Sequence, residues 1–147
     1  MKKKEFTAMG LMTGTSMDGV DLSIIKSDGY SEFVAILNSY FEFDINIHKK
    51  LINLRSKILS VEDFERNFDE LEQLEREITL FHAKIIQKAS RDYDNEIDIV
   101  GFHGQTIYHN PELKFSKQLG NGKLLSQITK KLVVSDFRQS KKRNKIE

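Results

Sequence analysis

Apolar positions in the first 45 residues fall into short blocks separated by breaks rich in glycine and aspartate. Phe6–Met12 clusters apolar residues without helical spacing and ends just before Gly14, which predicts a first strand. Val20–Ile25, "VDLSII", alternates and is expected to pair back against it. Glu32–Ile45, "EFVAILNSYFEFDI", follows the turn "KSDGYS" and is rich in aromatic and β-branched residues, so it predicts a third antiparallel strand completing a meander.

From Ile47 to Tyr93 the period changes. Leu51, Leu54 and Ile58, then Phe64, Phe68 and Leu71, recur at three- and four-residue steps, the spacing of helices. A second helical start is expected at Ser60, where "SVED" offers a hydroxyl N-cap and Asp63 replaces the usual glutamate of a capping box. Leu71–Ala89 carries a long apolar stripe with charges opposite, and His82 within it reads as a helix-surface or packing histidine.

Strand character returns in Ile97–His109 and runs into a second polar glycine cluster, Gly101–Thr106. A polar loop is expected after Pro111, then a short helix opening near Gly122. "LVVSDFR" reads as a buried strand ending at Asp136 and Arg138, and residues 139–147 as a solvated polar tail. The order predicts an α/β fold: a mixed β-sheet with an antiparallel N-terminal three-strand meander and packed helices. Three strand ends carry small polar residues: Gly14–Asp18, His103–Thr106 and Ser135–Arg138. Ligands of α/β sheets gather outside such ends, which predicts a composite pocket.

Composition narrows the partners. The 147 residues suit one domain, and 23 basic against 22 acidic side chains leave a net charge of +1. No global field recommends nucleic acid or an anionic membrane. Absence of cysteine removes disulfides and thiolate metal sites and fits a reducing, cytoplasmic setting. "MKKKEF" has the charge of a secretory leader, but Gly and Asp break the stretch after it before an apolar core forms.

The break between the first two strands, "TGTSMDG", carries more hydroxyls and carboxylate than a hairpin needs. Glycine lets successive backbone N–H groups approach phosphate oxygens closely, and Thr15 and Ser16 add hydroxyl donors. Asp18 would repel a phosphate unless a divalent cation or its water shell lies between them. The competing reading is a tight Asp-Gly hairpin turn. "GFHGQT" offers His103 and Gln105 as a polar shelf for a sugar or water, or merely a strand end with a satisfied histidine. In "SDFR", Arg138 either pairs with Asp136 or meets a carboxylate or phosphate bidentately.

Four segments in order, "GLMTGTSMDGVD", "GFHGQTIYHNP", "QLGNGKLL" and "VVSDFR", are similar to the signatures of the anhydro-N-acetylmuramic acid kinase family, and the resemblance covers nearly the whole chain to Arg138. It implies the N-terminal lobe of a ribonuclease H-like, actin-like ATPase of the sugar kinase superfamily. It further implies ATP and Mg²⁺ as cofactors, and hydrolytic opening plus phosphorylation of 1,6-anhydro-N-acetylmuramate to N-acetylmuramate 6-phosphate in peptidoglycan recycling. By the same resemblance Gly14, Thr15, Ser16, Met17, Asp18, Gly19, Val20 and Asp21 form the first ATP-phosphate hairpin, and the Mg²⁺ it implies is the cation expected beside Asp18, through water, from the residues themselves. His103, Gln105, Thr106, Asp136 and Arg138 fall on the sugar side.

The family continues past the "SDFR" strand into a "GGQGAPL" segment and a second lobe, where a "DTGPGN"-like motif holds the catalytic aspartate and the adenosine site. Here "QSKKRNKIE" follows instead. The expectation is therefore residues 1–138 as an incomplete first lobe with little or no turnover. The alternatives are a non-catalytic nucleotide-binding module, or half of a split kinase completed by a separately encoded C-terminal lobe. Lacking its partner lobe, such a domain is also expected to expose apolar surface and to associate, as a homo-oligomer for example.

Overall fold

The computed structural model describes residues 4–138 and the backbone of residues 145–146. β1 (Phe6–Met12), β2 (Gly19–Ser27) and β3 (Phe33–Glu42) form the expected meander, antiparallel throughout. Glu32 and Phe43–Ile45 lie outside β3. The carboxylate of Asp44 turns that stretch into a helix start by accepting the amides of Asn46 and Ile47, both at 2.9 Å.

Three helices follow: α1 (Ile45–Lys57), the single turn α2 (Asp63–Arg66) and α3 (Phe68–Tyr93). The box at Ser60 works in one direction only. Asp63 reaches back to the amides of Leu59 and Ser60 at 3.0 and 2.9 Å, while the Ser60 hydroxyl donates to that same carboxylate instead of capping a backbone amide. The stripe of α3 buries Leu71, Leu74, Ile78, Ile85, Ile86 and Ala89, and α1 buries Ile47, Leu51 and Leu54 beside it. Each fully buried leucine or isoleucine contributes about 1.5–3 kcal/mol by leaving water.

The chain then enters β4 (Ile99–Phe102), parallel to β1, and turns at once into β5 (Gln105–Asn110). The expected polar loop after Pro111 is a four-residue turn, because β6 (Phe115–Leu119) pairs antiparallel with β5 in a separate two-stranded sheet. Aromatic edges stabilise this hairpin from α2: Phe64 stands perpendicular to Tyr108 at 5.6 Å and packs against Phe115 at 5.8 Å. α4 (Gly122–Thr129), capped by Asn121 on the Leu124 amide at 2.9 Å, leads into β7 (Val133–Ser135), parallel to β4.

The main sheet runs β3-β2-β1-β4-β7-β8, where β8 is the two-residue Lys145–Ile146, antiparallel to β7. The rest of the expected polar tail lies outside the described residues. Burial alternates along the central strands: Met9 and Leu11, Leu22 and Ile24, and Val100 and Phe102 face one continuous core. Gly10, Met12 and Asp21 on the opposite face are exposed.

His82 sits at the centre of this core, fully buried, between Phe43, Phe81 and Phe102, with the Phe102 ring centred 4.9 Å away. Its Nδ1 donates to the Ile78 carbonyl at 2.7 Å, and Nε2 has no partner among the described residues. Burial pushes its pKa down to about 4. It is a packing histidine inside the core, not on the helix surface.

Candidate functional site

Because β1, β4 and β7 are parallel, their carboxyl ends open on one edge, and the three polar segments meet there. The Thr13 hydroxyl donates to the Gly104 carbonyl at 2.7 Å, Gln105 Nε2 donates to the Gly14 carbonyl at 3.0 Å, and Arg138 Nε donates to His103 Nε2 at 3.0 Å. His103 Nδ1 faces the Gly104 carbonyl at 2.7 Å, so the proton sits on Nδ1 and leaves Nε2 to accept from Arg138.

Two glycines make this meeting sterically feasible. Gly104 has φ +73°, and a Cβ there would press into the Leu119 carbonyl. Gly120 has φ +154°, and a Cβ would lie 2.6 Å from the Phe102 ring and 3.3 Å from the Gly104 Cα. The β4–β5 turn and the β6–α4 turn therefore pack backbone to backbone. α3 fastens the second of them: Glu75 accepts the Gly120 amide and the Thr79 hydroxyl accepts the Asn121 amide, both at 3.0 Å.

The β1–β2 loop has a particular polarity. The Gly14 carbonyl accepts from the Met17 amide (3.2 Å) and Gln105, the Thr15 carbonyl from Arg55 Nη1 (3.1 Å), the Met17 carbonyl from His48 Nδ1 (2.7 Å), and the Asp18 carbonyl from the Phe43 amide (2.8 Å). In a planar trans peptide the next amide hydrogen points opposite to the carbonyl. Anchoring the carbonyls of Gly14 and Thr15 thus turns the amides of Thr15 and Ser16 away from their anchors. Both residues are exposed, and neither amide has a partner among the described residues. The bend is open to solvent.

Asp18 is exposed beside these amides. The Ser16 hydroxyl, donating at 2.7 Å, holds its carboxyl below the usual range, with help from its own amide, the Tyr40 hydroxyl and nearby His48. Tyr40 is raised in turn by desolvation and the Asp18 charge. Asp18 also lines a depression of about 330 Å³ with Glu42, Phe43, Ile45 and His48.

The remaining residues of the predicted hairpin lie elsewhere. Met17 and Val20 are buried core side chains, Met17 spends its amide inside the turn at φ +58°, and Gly19, Val20 and Asp21 belong to β2. Gln105 is fully buried; its Oε1 has no partner among the described residues. Thr106 accepts from Gln118 Nε2 at 3.1 Å. Asp136, at φ +61°, terminates β7 and lines a polar cleft of about 340 Å³ with Ser135, Glu75 and the start of α4 at Asn121–Lys123. Among the described residues no three His, Asp or Glu side chains converge as a cation site.

Four contributors escape sequence reasoning: Arg55, His48, Glu75 and Thr79. Only Thr79 leaves a trace, as a hydroxyl residue that with His82 interrupts the apolar stripe of α3.

Residues 6–142 match the family model for anhydro-N-acetylmuramic acid kinase. The chain belongs to that family. It is 53% identical over 138 residues to the anhydro-N-acetylmuramic acid kinase of Pelagibacter ubique strain HTCC1062, covering 94% of this chain and 37% of that relative. It is 33% identical over 135 residues to the enzyme of the same name from Agrobacterium fabrum strain C58, covering 90% and 36%. The chain thus spans a little over a third of the length of the curated family members it matches. No helix among the described residues is long and apolar enough to cross a membrane.

Proposed function

We propose that these residues are the first lobe of a kinase that opens 1,6-anhydro-N-acetylmuramate and phosphorylates it to N-acetylmuramate 6-phosphate, and that the lobe belongs to the actin-like ATPases. The observation that carries the reading is the Gly14–Asp18 loop, in which the carbonyls of Gly14, Thr15, Met17 and Asp18 are tied down while the amides of Thr15 and Ser16 stay open. Such a row of amides takes the oxygens of a polyphosphate. The antiparallel meander leading into parallel strands supports the lobe assignment.

Mg²⁺ enters kinase sites with one or two carboxylates, several waters and the phosphates themselves. A single exposed, ionised Asp18 beside the amides fits that requirement, and the cation would offset its repulsion of phosphate. Exposed Arg138 and partly exposed His103, joined to one another, together with Asp136 and Thr106, form the sugar side of the reading. Gln105 supports the loop from beneath.

Phosphoryl transfer depends on positioning and charge stabilisation, and water attack on the anomeric carbon needs a base. The resemblance puts that aspartate on a second lobe, so these 147 residues alone are proposed to bind nucleotide without turnover. Calorimetric titration with Mg·ATP, paired with an assay for phosphorylated sugar, tests both parts. Saturable binding without product is expected. Absence of binding at millimolar Mg·ATP would sink the nucleotide site, and robust product would sink the requirement for a second lobe.

A further inference from the structure

Two side chains of α1 reach the glycine loop. His48 Nδ1 donates to the Met17 carbonyl at 2.7 Å and Arg55 Nη1 to the Thr15 carbonyl at 3.1 Å. Seven residues apart, they share one face of the helix, about 10 Å along its axis, and their side chains converge on the tight turn that the Met17 amide closes on the Gly14 carbonyl. The helix itself is fixed by its Asp44 cap and by fully buried Leu51 and Leu54. Neither His48 nor Arg55 lies in any of the four family-like motifs.

A guanidinium on a carbonyl makes a charge-assisted bond and polarises the peptide it holds, which strengthens the opposite N–H as a donor. For the Thr15 carbonyl that N–H belongs to Ser16. For the Met17 carbonyl it belongs to Asp18. From this geometry we infer that His48 and Arg55 are positioning residues: they keep Gly14–Asp18 in its amide-presenting shape before any ligand arrives, so that binding need not order the loop. The inference rests on the reading of the loop as a phosphate site, and it adds a helix outside the motifs to that site.

The test uses the 147-residue chain with His48→Ala, Arg55→Ala and their double variant, alongside the conservative pair His48→Asn and Arg55→Lys. Backbone ¹⁵N relaxation at Thr15, Ser16 and Asp18 reads loop order in the free protein, and Mg·ATP titration reads affinity. The alanine variants are expected to lower the order parameters at those three amides, to weaken Mg·ATP about tenfold or more, and to leave the melting temperature nearly unchanged. The conservative pair is expected to recover most of both readouts. Unchanged order parameters in the double variant would overturn the inference, as would lowered order with wild-type affinity. Lowered order in a chain whose wild type has no affinity for Mg·ATP would uphold the clamp and reject the phosphate reading instead. Should the double variant fail to fold, single Arg55→Ala decides the matter, since that side chain is exposed.

Discussion

Gln105 reaches across 91 residues of sequence to place its side-chain amide 3.0 Å from the carbonyl oxygen of Gly14. The β4–β5 turn and the β1–β2 loop are thereby one unit. Gln105→Ala removes this partly buried bond and a fully buried side chain, and is expected to cost about 2–3 kcal/mol in urea denaturation while slackening the loop. A variant as stable as wild type would show that the Met17 amide alone holds Gly14.

Asp18 and Ser16 give a second prediction. The Ser16 hydroxyl is the largest influence holding the Asp18 carboxyl low. In Ser16→Ala the Asp18 carboxyl should titrate at higher pH than in wild type, as followed by carbon NMR of the side chain. Asp18→Asn should abolish the difference in nucleotide affinity between Mg²⁺ and EDTA. If that difference persists, the cation is held elsewhere.

The paired glycines predict a steric penalty. Gly104→Ala and Gly120→Ala each force a Cβ into backbone or into the Phe102 ring at a positive φ. Each is expected to destabilise the chain by about 2 kcal/mol or more, measured by thermal melting with matched urea curves.

His82 predicts a pH dependence. The unfolded chain takes up a proton near the ordinary pKa of 6.5, while the folded chain resists until about 4. The unfolded state therefore binds more protons between those values, and stability falls as pH drops through that window, by up to about 3 kcal/mol in all. Urea midpoints between pH 7 and 4.5 should show this slope, and His82→Leu should flatten it.

Elements were readable where a local period sufficed. β1 matches its predicted span, and the α3 stripe and the start of α4 follow directly from apolar spacing. Strand character is legible through His109, but the β5–β6 hairpin is hidden because Phe115–Leu119 is mostly polar and the pair is held by aromatic packing against Phe64 on another element. The glycine clusters announced a site, but not how it is held. His48 and Arg55 bond to the loop from 31 and 40 residues away, and no local spacing encodes such contacts. Met17 and Val20 show the complementary case: they lie within the motif, yet their side chains belong to the core.

The strand order has a consequence for synthesis. The ribosome delivers β1, β2 and β3 first, whereas the parallel neighbour of β1 is β4, which emerges only after all of α1, α2 and α3. Until then one margin of β1 has no mate, and the nascent sheet offers a bare edge to other chains. Translation speed through residues 45–98 therefore sets how long that edge is exposed, and chaperone engagement is expected to peak in that interval.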